Sequence, residues 1–131
     1  MPAFMTDSTV ISELNRAWVE SNPNAPDVPR GTPGSPKKEQ GGWVVQNVWT
    51  GKYTVIRVPA GTRDSLATIS GTRPGWSIVH KTVGWFHTHP NTVAEGYTHT
   101  PSPGDIGFTK NYAKVPGVIK THNGDQFTPY P

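Results

Sequence analysis

Two histidines set two residues apart carry the clearest chemistry in this sequence: His87 and His89, in the run His87-Thr88-His89-Pro90. Side chains at i and i+2 on a β-strand point to the same face, so both imidazoles can reach one ion. Pro90 cannot donate to a strand ladder, and the strand is expected to stop where that face opens. A carboxylate follows in Ser102-Pro103-Gly104-Asp105. That run reads as a helix start, with Ser102 at the N-cap and proline in the first helical position. His87, His89 and Asp105 form a three-ligand set of the kind that leaves the fourth position of a catalytic zinc ion to water. Such an ion lowers the pKa of its water to about 7, and hydrolysis then needs a free carboxylate to carry the proton. Glu39, immediately ahead of the first expected strand, is the candidate. Glu13, Glu20 and Glu95 are its rivals, on a helix and in a polar loop.

Each of these residues has a plainer reading. A His-x-His pair can be two surface histidines. Ser102 can be a simple N-cap, worth about 1 kcal/mol. Asp105 can be a first-turn carboxylate favoured by the helix dipole, and any glutamate is by default a solvated surface group. His80, His99 and His122 are expected as exposed loop and turn histidines. Lys37-Lys38 is expected in solvent, and Trp43, Trp49, Trp76 and Trp85 in the core.

Positioning the candidates requires an α/β arrangement. Residues 9–20 read as a helix, with Val10, Leu14 and Trp18 at i, i+4, i+8 and Ile11 beside them. Asp7 or Ser8 can cap it, and Asn22-Pro23 ends it. Five prolines and two glycines make residues 23–37 an extended arm. Residues 42–49 and 53–58 read as a hairpin turned at Thr50-Gly51-Lys52. Residues 62–80 are ambiguous, with a short strand possible at 76–79. Residues 82–89 form the His-x-His strand, 91–101 a polar loop, and 106–113 a helix. Residues 118–121 and 126–128 form a last hairpin around His122-Asn123-Gly124-Asp125. The division is an N-terminal helix and Pro/Gly-rich arm, 1–37, and a domain, 38–131.

Composition narrows the classes. The chain has 131 residues, enough for one core. With no cysteine there is neither a disulfide nor a thiolate metal site, so any metal must sit on His, Asp, Glu and water. Glycine and proline supply 14 residues each beside five tryptophans, which points to a loop-rich folded domain and not a linker. The net charge of +3 is spread thinly, so no specific nucleic-acid partner is expected. No stretch is long and apolar enough for a membrane span, and residues 1–7 lack the pattern of a secretory signal. Localisation stays open between cytoplasmic and secreted.

The pattern Glu39 … His87-Thr88-His89-Pro90 … Ser102-Pro103-Gly104-Asp105 resembles the JAB/MPN (JAMM) zinc metalloprotease family over roughly residues 38–130. The resemblance implies a deaminase-like fold, a central mixed β-sheet flanked by helices. It implies Zn²⁺ on His87, His89 and Asp105, Glu39 as general base and acid, and Ser102 as donor to the oxyanion of the tetrahedral intermediate. Eleven residues separate Pro90 from Ser102, where the commoner family pattern has seven. The extra length is expected to form a flap facing a protein or peptide substrate. With the Glu-x-Gly-Gly element at residues 39–42, the long spacing looks most like JAB domains of bacterial Rhs and polymorphic toxins. That reading implies a toxin effector and an immunity protein as partner.

The expected activity is therefore zinc-dependent hydrolysis of an amide bond, by a peptidase or isopeptidase. The competing readings are a non-catalytic scaffold of the same fold, which would ordinarily have lost ligands, and a metal-dependent nuclease on the same histidines, which would need further acidic or asparagine ligands. A zinc nucleobase deaminase is disfavoured because its usual site requires cysteines.

Overall fold

The computed structural model describes residues 1–130, so Pro131, the last residue of the expected 38–131 domain, lies outside the described residues. The chain is mixed α/β. Helix α1 (Ser8–Glu20) is followed, after the Pro-rich arm, by strands β1 (Gly41–Asn47), β2 (Tyr53–Arg57) and β3 (His80–His89). Helix α2 (Pro103–Phe108) then leads to β4 (Gly117–Thr121) and β5 (Gly124–Thr128). One five-stranded sheet has the order β2-β1-β3-β4-β5. β3 and β4 are parallel and every other pair is antiparallel. The parallel pair needs a crossover, and α2 with the π-helical turn Thr109–Ala113 supplies it.

Strand periodicity builds two cores. On one face Val44, Phe86 and Val118 pack against Val10, Leu14 and Ala17 of α1 and against Phe4 and Met5. On the other, Trp43 and Trp85 pack with Leu66, Ile69, Ala113 and Val115. The N-terminal helix is therefore seated on the sheet. Its buried stripe is Val10, Leu14 and Ala17, while Ile11 is exposed and Trp18 is half-buried, edge-on to His122 at 5.0 Å. The cap is Asp7, whose carboxylate accepts from the Val10 N–H at 3.0 Å. Gly84 is needed on this face, because a Cβ there would lie 2.3 Å from the Phe4 ring.

Several expectations are corrected. β1 ends at Asn47, whose side-chain oxygen accepts from the Trp49 and Thr50 N–H groups and turns the chain. Trp49 is consequently 79% exposed, and Trp76, in an irregular segment and not a strand, is 88% exposed. Neither is a core residue. Helix α2 is shorter than residues 106–113, since its regular turns begin at Pro103 and widen into the π turn at Thr109. Lys37 is fully buried, and so is Glu95 of the polar loop, where solvent is expected for both. The physical reason is the same for both: each charge has found the other, at 2.5 Å. Among the described residues no helix is long and apolar enough to cross a membrane.

Candidate metal centre

β3 places Trp85, His87 and His89 on the α2 side of the sheet, at the strand's C-terminal end. The parallel register with β4 pairs His87 with Ile119 and His89 with Thr121, so both histidines stand on a fully hydrogen-bonded strand. α2 begins beside them. The Ser102 Oγ accepts from the Asp105 N–H at 3.1 Å, and the Asp105 Oδ2 accepts from the Ser102 N–H at 2.8 Å. This reciprocal capping box fixes the Asp105 side chain in the first turn.

The three side chains converge. His87 Nε2 and His89 Nε2 are 3.0 Å apart. Asp105 Oδ1 lies 3.1 Å from His87 Nε2, and its Oδ2 lies 3.4 Å from His89 Nε2. In a tetrahedral zinc site with bonds of about 2.0–2.1 Å, ligand atoms lie about 3.3–3.4 Å from one another. The observed separations lie at or just below that edge length, with Asp105 meeting the two rings through different oxygens, and Glu39, His87 and His89 also form a cluster that could hold an ion. Imidazole with carboxylate is also the donor chemistry zinc accepts when no thiolate is offered.

Glu39 lies just ahead of β1 and is held by its backbone. Its N–H donates to the Thr62 carbonyl at 2.8 Å, and its carbonyl accepts from the Gly61 N–H at 2.9 Å. One residue on, the Gln40 carbonyl accepts from the Thr88 N–H at 2.9 Å, and the Gln40 N–H donates to the Thr88 hydroxyl at 3.0 Å. The segment before β1 is thereby locked to the residue between the two histidines. Gly41 makes the approach possible: a Cβ there would sit 2.3 Å from the Phe86 carbonyl oxygen and 3.0 Å from the His87 Cβ. The Glu39 carboxylate comes within 4.8 Å of both histidine donor atoms, with no hydrogen bond or ion pair among the described residues. Asp105 is engaged from three directions, whereas Glu39 has no partner among the described residues and stands within reach of the same two histidines, so either carboxylate could join them on an ion.

Electrostatics follow burial. Desolvation pushes the Glu39 carboxyl up to about 9, and the negative charges of Asp105 and Asp64 push the same way. A cation among the neighbouring donors would oppose that rise and favour the ionised carboxylate. Burial lowers the His87 pKa against the opposing pull of Asp105, which favours the neutral ring a metal requires. Burial would raise Asp105, but hydrogen bonds from His87 and His89 hold it well below the usual carboxylate range. The His87 Nδ1 is buried without a hydrogen-bond partner among the described residues. Its ring is oriented instead by stacking on Trp85, with centroids 4.6 Å apart and planes 5° from parallel. The Trp85 indole N–H is in turn held by the Thr109 hydroxyl at 3.0 Å.

These residues open into one cleft of about 420 Å³, bordered also by Ser102, Tyr97 and Arg30. Ser102 caps the helix as an acceptor, so its hydroxyl hydrogen stays available to donate into the cleft. The five candidates named from sequence, Glu39, His87, His89, Ser102 and Asp105, thus border a single space. His80, His99 and His122 lie outside it; the half-buried His99 leaves its Nε2 without a partner, and the His122 ring hydrogen-bonds the Pro90 carbonyl at 2.8 Å. Sequence reasoning missed Arg30 and Tyr97 as cleft residues, and nothing local in the arm or loop marks them. It also missed the stacking role of Trp85, for which the i, i+2 spacing to His87 was an available signal.

No protein-family model matches the chain, and no curated protein matches it.

Proposed function

We propose that this chain is a zinc-dependent peptidase or isopeptidase of the JAB/MPN type, a hydrolase that cuts an amide bond. The observation that carries the reading is the mutual spacing of His87 Nε2, His89 Nε2 and the Asp105 carboxylate, 3.0 to 3.4 Å, with the unpartnered Glu39 beside them. The mixed sheet, with α1 on one face and α2 crossing between parallel strands on the other, supports the corresponding fold. The Glu-x-Gly-Gly element and the long loop before Ser102 favour the bacterial toxin-effector branch.

His87, His89 and Asp105 would hold Zn²⁺, which when bound supplies Lewis acidity and makes water acidic near neutral pH. Glu39 takes the proton from the attacking water and returns it to the leaving amine. Its lack of a hydrogen-bond partner leaves both carboxylate oxygens open for that traffic. The Ser102 hydroxyl donates to the developing oxyanion. Removing a donor of this kind costs about 10²–10³ in rate in other hydrolases. Trp85 and the surrounding core exclude water from the buried side of His87.

The test is metal analysis joined to turnover. Purified protein should hold one zinc per chain and lose it in His87→Ala. Glu39→Gln should keep the zinc and lose cleavage of a panel of peptides and isopeptides. Protein that holds no zinc, and gains no hydrolysis on reconstitution, refutes the proposal. Equal turnover by wild type and Glu39→Gln removes Glu39 from the chemistry.

A further inference from the structure

The geometry points to Arg30 as a carboxylate-binding subsite of the cleft: the substrate presents an anionic carboxylate, from an acidic side chain or a chain terminus, to the cleft wall, where no other lysine or arginine stands among the described residues. This deepens the peptidase reading and rests on it.

Among the described residues Arg30 is the only lysine or arginine that borders the cleft. The other four arginines all have hydrogen-bond partners: Arg16 and Arg57 on Glu20, Arg63 on Glu95, and Arg73 on the Ala113 carbonyl. The Arg30 guanidinium has neither a hydrogen bond nor an ion pair, and the residue is exposed. A guanidinium presents five donors in a planar fork matched to a carboxylate, and here the whole fork is vacant.

Arg30 is nonetheless held in place. Its backbone N–H donates to the Glu95 carbonyl at 2.8 Å. Two residues earlier, the Val28 N–H donates to the Glu95 carboxylate at 2.9 Å, and the Val28 carbonyl accepts from Arg63 at 2.8 Å. The guanidinium lies over the Tyr97 ring, 5.0 Å from its centroid, where the aromatic face favours a cation without using its N–H donors. The arm is therefore a wall of the cleft, and a preorganised cation stands on it. Asp64 also borders the cleft and accepts from the Tyr97 hydroxyl at 3.4 Å. An incoming anion is favoured at Arg30 and disfavoured near Asp64, which gives the subsite a direction.

The experiment separates binding from turnover. Fluorescein-labelled hexapeptides are made in matched pairs of two kinds, Glu against Gln at each position and free against amidated C-terminus. They are titrated by anisotropy, at fixed low salt, against zinc-loaded Glu39→Gln protein and against the same protein carrying Arg30→Gln or Arg30→Lys. The carboxylate member of a pair should bind at least tenfold more tightly. Arg30→Gln should erase the difference, and Arg30→Lys, which keeps the charge but not the fork, should keep part of it. A preference for free over amidated peptides assigns the chain terminus; a preference for Glu over Gln assigns an internal acid. Equal binding within every pair, or a preference that persists in Arg30→Gln, overturns the inference. Because the Arg30 side chain makes no hydrogen bond, the variant should melt with its parent, and a large drop would mean that the arm depends on it structurally, which also overturns the inference. Arg30-dependent discrimination without cleavage of any peptide by the zinc-loaded wild type leaves the subsite standing and sinks the peptidase reading. Zinc-dependent cleavage with equal binding does the reverse.

Discussion

Glu95 is the residue whose loss should do most to the wall of the cleft. Its buried carboxylate accepts from Lys37 Nζ at 2.5 Å, Arg63 at 2.7 Å, the Val28 N–H at 2.9 Å and the Thr92 N–H at 2.8 Å. It joins the Pro-rich arm, the loop after β2 and the loop before α2 in one contact. Burial works to raise its pKa, but Lys37 and the Val28 and Thr92 amides outweigh that and hold the carboxyl at about 2. From an ordinary glutamate value of about 4.3, that difference corresponds to about 3 kcal/mol of stability at neutral pH. Glu95→Gln removes the charge and strands Lys37, whose next anion, Asp27, is 3.8 Å away. Breaking a buried pair from one side costs about 3–5 kcal/mol. At roughly 3–5 °C per kcal/mol for a chain of this size, the melting temperature should fall by about 10–20 °C.

The pH dependence carries a sign. A carboxyl whose folded pKa is depressed contributes stability that is complete above its unfolded pKa and is lost as pH falls toward the folded value. Wild type should therefore lose stability relative to Glu95→Gln between about pH 4.5 and about pH 2, and the difference between them should be flat above pH 6. Urea melts at a series of pH values measure it. Pairing Glu95→Gln with Lys37→Met should recover much of the loss, because the stranded cation goes with it. A single-variant cost below about 1 kcal/mol, or the same acid slope in both proteins, would refute the claim that this contact holds the arm.

Two other perturbations test the site itself. Gly41→Ala places a methyl against the Phe86 carbonyl oxygen and His87, so Glu39 must move; turnover should fall by about 10² or more while zinc is retained, and unchanged turnover would show that Glu39 needs no such placement. Trp85→Leu removes the ring on which His87 stacks and by which that imidazole is oriented beside its Nε2 partners. Zinc affinity, read by competition with a chelator, should drop about 10–100-fold, and an unchanged affinity would dismiss stacking as a substitute for a hydrogen bond to Nδ1.

The elements that carry His87, His89, Asp105 and Ser102 were legible because local rules decide them. A strand with period-two alternation puts two histidines on one face, Pro90 stops it, and Ser-Pro-x-Asp starts a helix with a capping box. Glu39 was placed by its position ahead of β1, and the glycines beside it record the close passage of two strands. The exposure of Trp49 and Trp76 was not legible, because an apolar side chain signals a wish for burial and not a partner. β1 turns off at Asn47 before Trp49 can reach the sheet, and no strand forms to carry Trp76 inward.

The charges were misread for a deeper reason. Lys37 and Glu95 stand 58 residues apart, each in a stretch of prolines, glycines and polar residues that locally suggests solvent. Only the fold reveals that they neutralise each other and so carry Val28, Arg30 and Tyr97 to the edge of the cleft. The candidate metal ligands stand on regular elements, where neighbours in sequence fix direction. The cleft wall that carries Arg30 and Tyr97 is built from an arm and a loop, where partners distant in sequence fix it. The candidate ligands were for this reason legible from spacing together with the family resemblance, whereas the wall residues were not. Loops tolerate sequence change and rest on a rigid scaffold, so specificity accumulates there. On the proposed reading, the Arg30 guanidinium over Tyr97, on an arm tied down by buried Glu95, is where such specificity would lie, and it would go unnoticed in any comparison confined to the candidate ligands.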